Sequence, residues 1–175
     1  MCFSAGASFA GGAIISAVGV GAQTKVIKPS QRFFAVIPFF FGFQQVAEGV
    51  LWVTLGSAKY PVLQDAATYI FLVTALVIWP VMVPLSVRFM EEVKRRKQIL
   101  TGLLIAGCLL SAVYAFCLVY YDVYPQINSF HIEYVYNVPQ TLMTVAFVFY
   151  LITTIAPFFV SSVRRMWVFG ALIAV

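Results

Sequence analysis

Apolar runs of about twenty residues recur along this chain, separated by short polar or charged stretches. That length matches a helix rising ~1.5 Å per residue through the ~30 Å hydrocarbon core of a bilayer. The chain is 62% hydrophobic and 10% charged, whereas soluble domains carry charge on about a quarter of their residues. A soluble fold of this length has too little interior to hide so much apolar surface, so lipid takes the place of a core. In lipid every backbone polar group must be satisfied within the chain, and helices do this segment by segment.

The runs fall at about 4–23, 33–55, 64–87, 99–121 and 138–160, and a sixth opens near Met166. The expected fold is all-α: a polytopic transmembrane helix bundle of about six helices, forming one domain over residues 1–175. Only ten residues remain from Met166 to Val175, about half a crossing, so the natural protein is expected to continue.

The charges give this helix count an internal check. Lys25, Lys28 and Arg32 follow the first run, Arg88, Lys94, Arg95, Arg96 and Lys97 the third, and Arg164 and Arg165 the fifth. Lys59 alone lies between the second and third runs, so ten of the eleven basic residues share one side. The positive-inside rule makes that side cytoplasmic and puts the N-terminus outside. A missed or invented helix would scramble the pattern. The net charge of +5 is therefore a topology signal, and no nucleic-acid partner is expected. The lipid bilayer is the expected partner, with a homo-oligomer or a larger membrane complex as further options.

The N-terminus has no basic region, small-residue cleavage site or lipobox, so neither a cleaved signal peptide nor myristoylation is expected. Cys2, Cys108 and Cys117 make no disulfide framework. The last two lie on opposite helix faces and read as small buried packing residues. Ser8, Gly12, Ser16 and Gly19 share one face of the first helix, which predicts close approach of another helix. Pro80 and Pro84 should bend the third helix, with neighbouring helices satisfying the freed carbonyls. Tyr114, Tyr120, Tyr121, Tyr124, Tyr134 and Tyr136 read as an aromatic belt at the outer surface. Residues 121–137 read as a long external loop.

Glu48 is the one acidic residue deep within an apolar run. A charge at mid-membrane costs at least ~2.5–3.5 kcal/mol, so such a residue usually has a use. Gln44, Gln45 and Trp52 lie three or four residues away on the same helical face. The stripe should point inward, either as a polar clamp between helices or as a site. The topology brings Cys2, Ser4, Asp65, Asp122, His131, Glu133, Asn137 and Gln140 to the same outer side. The expected site is an outward-opening polar pocket lined by Ser4, Gln44, Gln45, Trp52, Asp65, Glu133 and Gln140.

Removal of Met1 would leave Cys2 with both an amine and a thiol for a metal. Cys, His and a carboxylate are zinc ligands in catalytic sites, and softness alone also admits copper. A metal centre at Cys2, Glu48 and His131 is one expectation, with zinc as cofactor and Glu48 as ligand or general base. A solvated loop histidine and a buried terminal cysteine are the plainer alternative, since no spacing motif supports the set. Phosphate-loop, dinucleotide and catalytic-triad signatures are absent.

The opening Met1-Cys2-Phe3-Ser4-Ala5 and the stretch Gln44-Gln45-Val46-Ala47-Glu48-Gly49-Val50-Leu51-Trp52 resemble an uncharacterised family of bacterial multi-pass membrane proteins, a domain of unknown function. The resemblance implies about seven helices in the natural protein and a place in the inner (cytoplasmic) membrane, but no activity. The expected functions are a metal-dependent membrane hydrolase at the outer face, a small-molecule or ion binding or transport protein, or an accessory subunit of a larger complex.

Overall fold

A computed structural model describes residues 4–57 and 59–174, the side chain of Ala174 excepted. Met1, Cys2 and Phe3 therefore lie outside the described residues. Helix α1 spans Ala5–Thr24, and the Ser4 hydroxyl caps it by accepting from the Ala7 N–H at 3.3 Å. A short turn at Pro29–Gln31 leads into α2 (Arg32–Ala35) and α3 (Ile37–Thr54). The third apolar run folds as α4 (Pro61–Leu72), a π-helical segment (Val73–Ile78) and α5 (Trp79–Met90). Helix α6 spans Lys94–Tyr120, α7 spans Gln140–Val160 and α8 spans Met166–Ala174. Among the described residues, five stretches are long and apolar enough to cross a membrane: Ala5–Thr24, Pro29–Thr54, Pro61–Met90, Lys94–Tyr120 and Gln140–Val160. The expected helices thus form, displaced by a few residues at their ends. Helix α6 begins five residues before the apolar run because Lys and Arg are good helix formers.

The expected external loop is partly ordered. Residues Val123–Asn128 form β1 and His131–Tyr136 form β2, an antiparallel hairpin with Asn128 paired to His131 across a two-residue turn. Ser129 takes a positive φ of 55° there, as a tight hairpin turn requires. The segment alternates Ile132, Tyr134 and Tyr136 with His131, Glu133 and Val135, the period of a half-buried strand.

The chain divides into two compact units. The first comprises the described residues of Met1–Val26, Ala35–Ala75 and Leu118–Asn137. Here the small-residue face of α1 docks on α3. A Cβ at Gly12 would meet the Gly42 carbonyl oxygen at 3.0 Å, and one at Gly19 would meet the Phe39 ring at 2.9 Å. On α3 a Cβ at Gly49 would meet the Phe9 ring at 2.8 Å. The hairpin's apolar face packs on α3 and α4, where Ile132 and Leu51 are both fully buried beside Ala67.

The second unit comprises Ile27–Phe34, Leu76–Cys117 and the described residues of Val138–Val175. It contains both prolines of the third span. Pro80 and Pro84 have no N–H, so the carbonyls one turn earlier lose their usual partners. The wider π turn ends where α5 begins, just before Pro80. Helix α6 packs against this segment, and the Ser111 hydroxyl donates to the Val77 carbonyl at 2.7 Å. One turn earlier, a Cβ at Gly107 would collide with the Pro80 carbonyl oxygen, the group Pro84 leaves without a donor. Only glycine lets the α6 backbone come that close.

Two sequence expectations need correction. Tyr114 and Tyr134 are not belt residues. Tyr114 is buried with Leu110 and Ala146, and Tyr134 stacks on Phe71 at 5.0 Å. Each has an apolar ring that a neighbouring helix covers, which outweighs the pull of its hydroxyl toward water. Cys108 is exposed on α6 and Cys117 half-buried, so neither is a fully buried packing residue.

Candidate functional site

Glu48 is fully buried in the middle of the inward face of α3. Gln44 is buried one turn before it, and Gln45 and Trp52 are half-buried on the same side. The Gln45 amide donates to Glu48 Oε2 at 3.2 Å, and Trp52 packs against the cluster of Leu51, Ala67 and Ile132. The helical spacing of four polar or amphipathic residues therefore does what it predicts, turning the stripe away from the outer surface of the unit.

Tyr134 adds a residue that sequence reasoning placed elsewhere. The strand pleat turns Ile132 and Tyr134 toward α3 and α4. The Tyr134 hydroxyl is buried and has no hydrogen-bond partner among the described residues. Burial pushes its pKa far above the usual phenol range, and the nearby Glu48 charge pushes it further. A phenol that feels a carboxylate in a dry setting stays protonated and able to donate. The signal was present in the alternation of residues 131–136, hidden by the habit of reading interfacial tyrosines as a belt.

Ser8 is the second added residue. It is fully buried, and its hydroxyl also has no hydrogen-bond partner. It lies one turn from Gly12, whose Cβ position is 3.4 Å from Gln45 Cβ, and next to Phe9, whose ring faces Gly49. The α1–α3 contact therefore places Ser8 at the level of the Gln45–Gly49 segment. Buried polar groups in proteins are almost always bonded to protein or ordered water. Among the described residues Ser8 and Tyr134 have buried hydroxyls without partners, the second near a buried carboxylate, which makes this cluster the candidate site.

The other expected residues are placed as follows. Ser4 is exposed and serves as the α1 cap. Asp65 is exposed on α4, and Gln140 is exposed at the start of α7 in the second unit. Glu133 accepts from Asn128 Nδ2 at 3.0 Å and Gln126 Nε2 at 3.4 Å, within the hairpin. His131 is half-buried at the turn end of β2, on the Glu133 side of the pleat. Among the described residues no group of three or more His, Cys, Asp and Glu lies close enough to hold a metal ion. Cys2 lies outside those residues.

A chain with five membrane-length apolar helices and a buried polar cluster under a small hairpin is an integral membrane protein of the helical class. It belongs to a family of unknown function, DUF6629, whose model matches residues 1–175. No curated protein and no solved structure matches the chain.

Proposed function

We propose that this protein binds a small cation of the alkylammonium type at Glu48, beneath the hairpin. The supporting observation is the buried Tyr134 hydroxyl, unbonded within electrostatic reach of a fully buried carboxylate. Glu48 supplies charge and acceptors. Tyr134 and Ser8 supply hydroxyl oxygens that accept as readily as they donate. Three acceptors suit a group with three N–H donors and one positive charge. Desolvation strengthens each of these bonds. The hairpin covers the site and is the element that opens for entry.

The test uses purified protein in detergent with methylammonium chloride as probe and sodium chloride at equal ionic strength as control. Methylammonium should raise the melting temperature saturably, because it binds only the folded state. The rise should vanish in Glu48→Gln and shrink in Tyr134→Phe. An equal response of wild type and Glu48→Gln would overturn the proposal. Stoichiometric zinc, lost in Cys2→Ala and His131→Ala, would favour the metal-dependent hydrolase instead.

A further inference from the structure

The second unit carries a separate cleft of about 280 Å³ among the segments that join its helices. Lys28, Ser30, Gln31, Glu92 and Ser162 supply its polar lining and Met90 an apolar one. The sequence assigns these segments to the basic, cytoplasmic side. Between the lining residues Met90 and Glu92 lies a buried carboxylate, Glu91. Glu91 is 1% exposed and accepts from the Ser162 N–H at 2.6 Å, the Ser162 hydroxyl at 2.6 Å and the Val93 N–H at 2.8 Å. Those bonds tie the segment after α5 to the segment after α7, so the cleft is held by two fixed walls.

Across its mouth the Lys28 ammonium meets Glu92 Oε1 at 2.9 Å, and both side chains are largely exposed, at 64% and 80%. An exposed pair of this kind contributes little to stability. Its charges are free to exchange each other for the two ends of a zwitterion. The Gln31 carbonyl oxygen is already occupied by the Ile27 and Lys28 N–H groups, which presents its amide N–H groups, beside the Ser30 hydroxyl, as donors. Phe33 and Phe89, in ring contact at 5.6 Å, flank the cleft in sequence and are each more than 40% exposed. Acyl chains would run along that apolar surface.

We propose that this cleft binds the headgroup of a phosphatidylethanolamine molecule of the inner leaflet. Its phosphate takes Lys28, Ser30 and Gln31, and its primary ammonium takes Glu92. The charge arrangement selects this headgroup over two others. An anionic phosphatidylglycerol would leave Glu92 facing a like charge. Phosphatidylcholine has no N–H to donate to the carboxylate.

Native mass spectrometry of the detergent-purified protein, titrated with each lipid and with free O-phosphoethanolamine, tests this. Phosphatidylethanolamine should bind saturably and roughly tenfold more tightly than phosphatidylcholine, a difference of the size one charge-assisted hydrogen bond gives. Glu92→Gln should abolish that preference and Lys28→Ala should weaken binding of both lipids alike, and both residues are exposed enough to change without unfolding the chain. Weak binding of the free headgroup with strong binding of the lipid is expected. Equal binding of all three lipids, or a preference unchanged in Glu92→Gln, would overturn the proposal. Tighter binding of phosphatidylglycerol than of phosphatidylethanolamine would do so too.

Discussion

Tyr134 separates a ligand site from a structural clamp more sharply than any other side chain. A hydroxyl that holds the fold together costs stability when removed, typically about 1 kcal/mol or more. An orphaned one does not. Tyr134→Phe should therefore leave the melting temperature of ligand-free protein unchanged or raise it slightly, while weakening the response to methylammonium. Glu91 makes the opposite case. Burial raises its pKa, but the bonds from Ser162 and Val93 and the Arg96 charge outweigh that, leaving it below the usual 4.5. The folded state thus holds this proton less tightly than the unfolded chain. The stabilisation is full above the unfolded value and is lost as pH falls through the folded one. Thermal stability should decline below about pH 4.5 in wild type, and that part of the decline should be missing in Glu91→Ala. The same variant should cost about 3 kcal/mol at neutral pH, because it strands the Ser162 N–H and hydroxyl. Glu48 was legible in the sequence because a lone acid in an apolar run is rare. Glu91 was not, since it stands next to Glu92 and close to four basic residues in a charged stretch between apolar runs.

Among the elements, the proline-containing third span and the hairpin teach different lessons. Pro80 and Pro84 announce a bend, but nothing in the sequence says which helix receives the freed carbonyls. Helix α6 is that neighbour: Gly107 sits against the Pro80 carbonyl, and one turn on Ser111 bonds the adjacent Val77 carbonyl. Gly107→Ala should destabilise by about 1–3 kcal/mol, since its new methyl has nowhere to go but into the Pro80 carbonyl. Ser111→Ala should cost less, about 1 kcal/mol. Parallel thermal denaturation of the two variants checks that order. The hairpin was missed because residues 121–137 hold proline, asparagine and serine, which pulled the reading toward irregular loop. Its anchor is Ile132, fully buried against Leu51 and Ala67. Ile132→Ala should cost about 2–5 kcal/mol if the hairpin folds with the first unit. A smaller loss, together with rapid proteolysis near Ser129, would show that the hairpin opens on its own.

For the whole molecule, hydropathy and charge determine most of what can be said. Apolar length gives five candidate crossings among the described residues, and the basic clusters predict their sides. An impermeant thiol reagent added to intact cells should label Lys59→Cys and spare Lys94→Cys. The reverse pattern would invert the orientation and put the Glu48 site on the cytoplasmic face. Long-range placement was less visible. That α1 docks on α3 follows from its small-residue face only in kind, since such a face does not name its partner. The outward pocket expected from Ser4, Asp65, Glu133 and Gln140 drew on topology alone. Topology sorts residues by side of the membrane but says nothing of which way each side chain turns.

An experimental density map of the protein with methylammonium, at a resolution that shows bound small molecules, bears most directly on the Glu48 site. It should contain non-protein density within ~3.2 Å of the Tyr134 hydroxyl, also in contact with the Glu48 carboxylate. A map in which that hydroxyl bonds directly to a protein atom, with no room beneath the hairpin, would contradict the account.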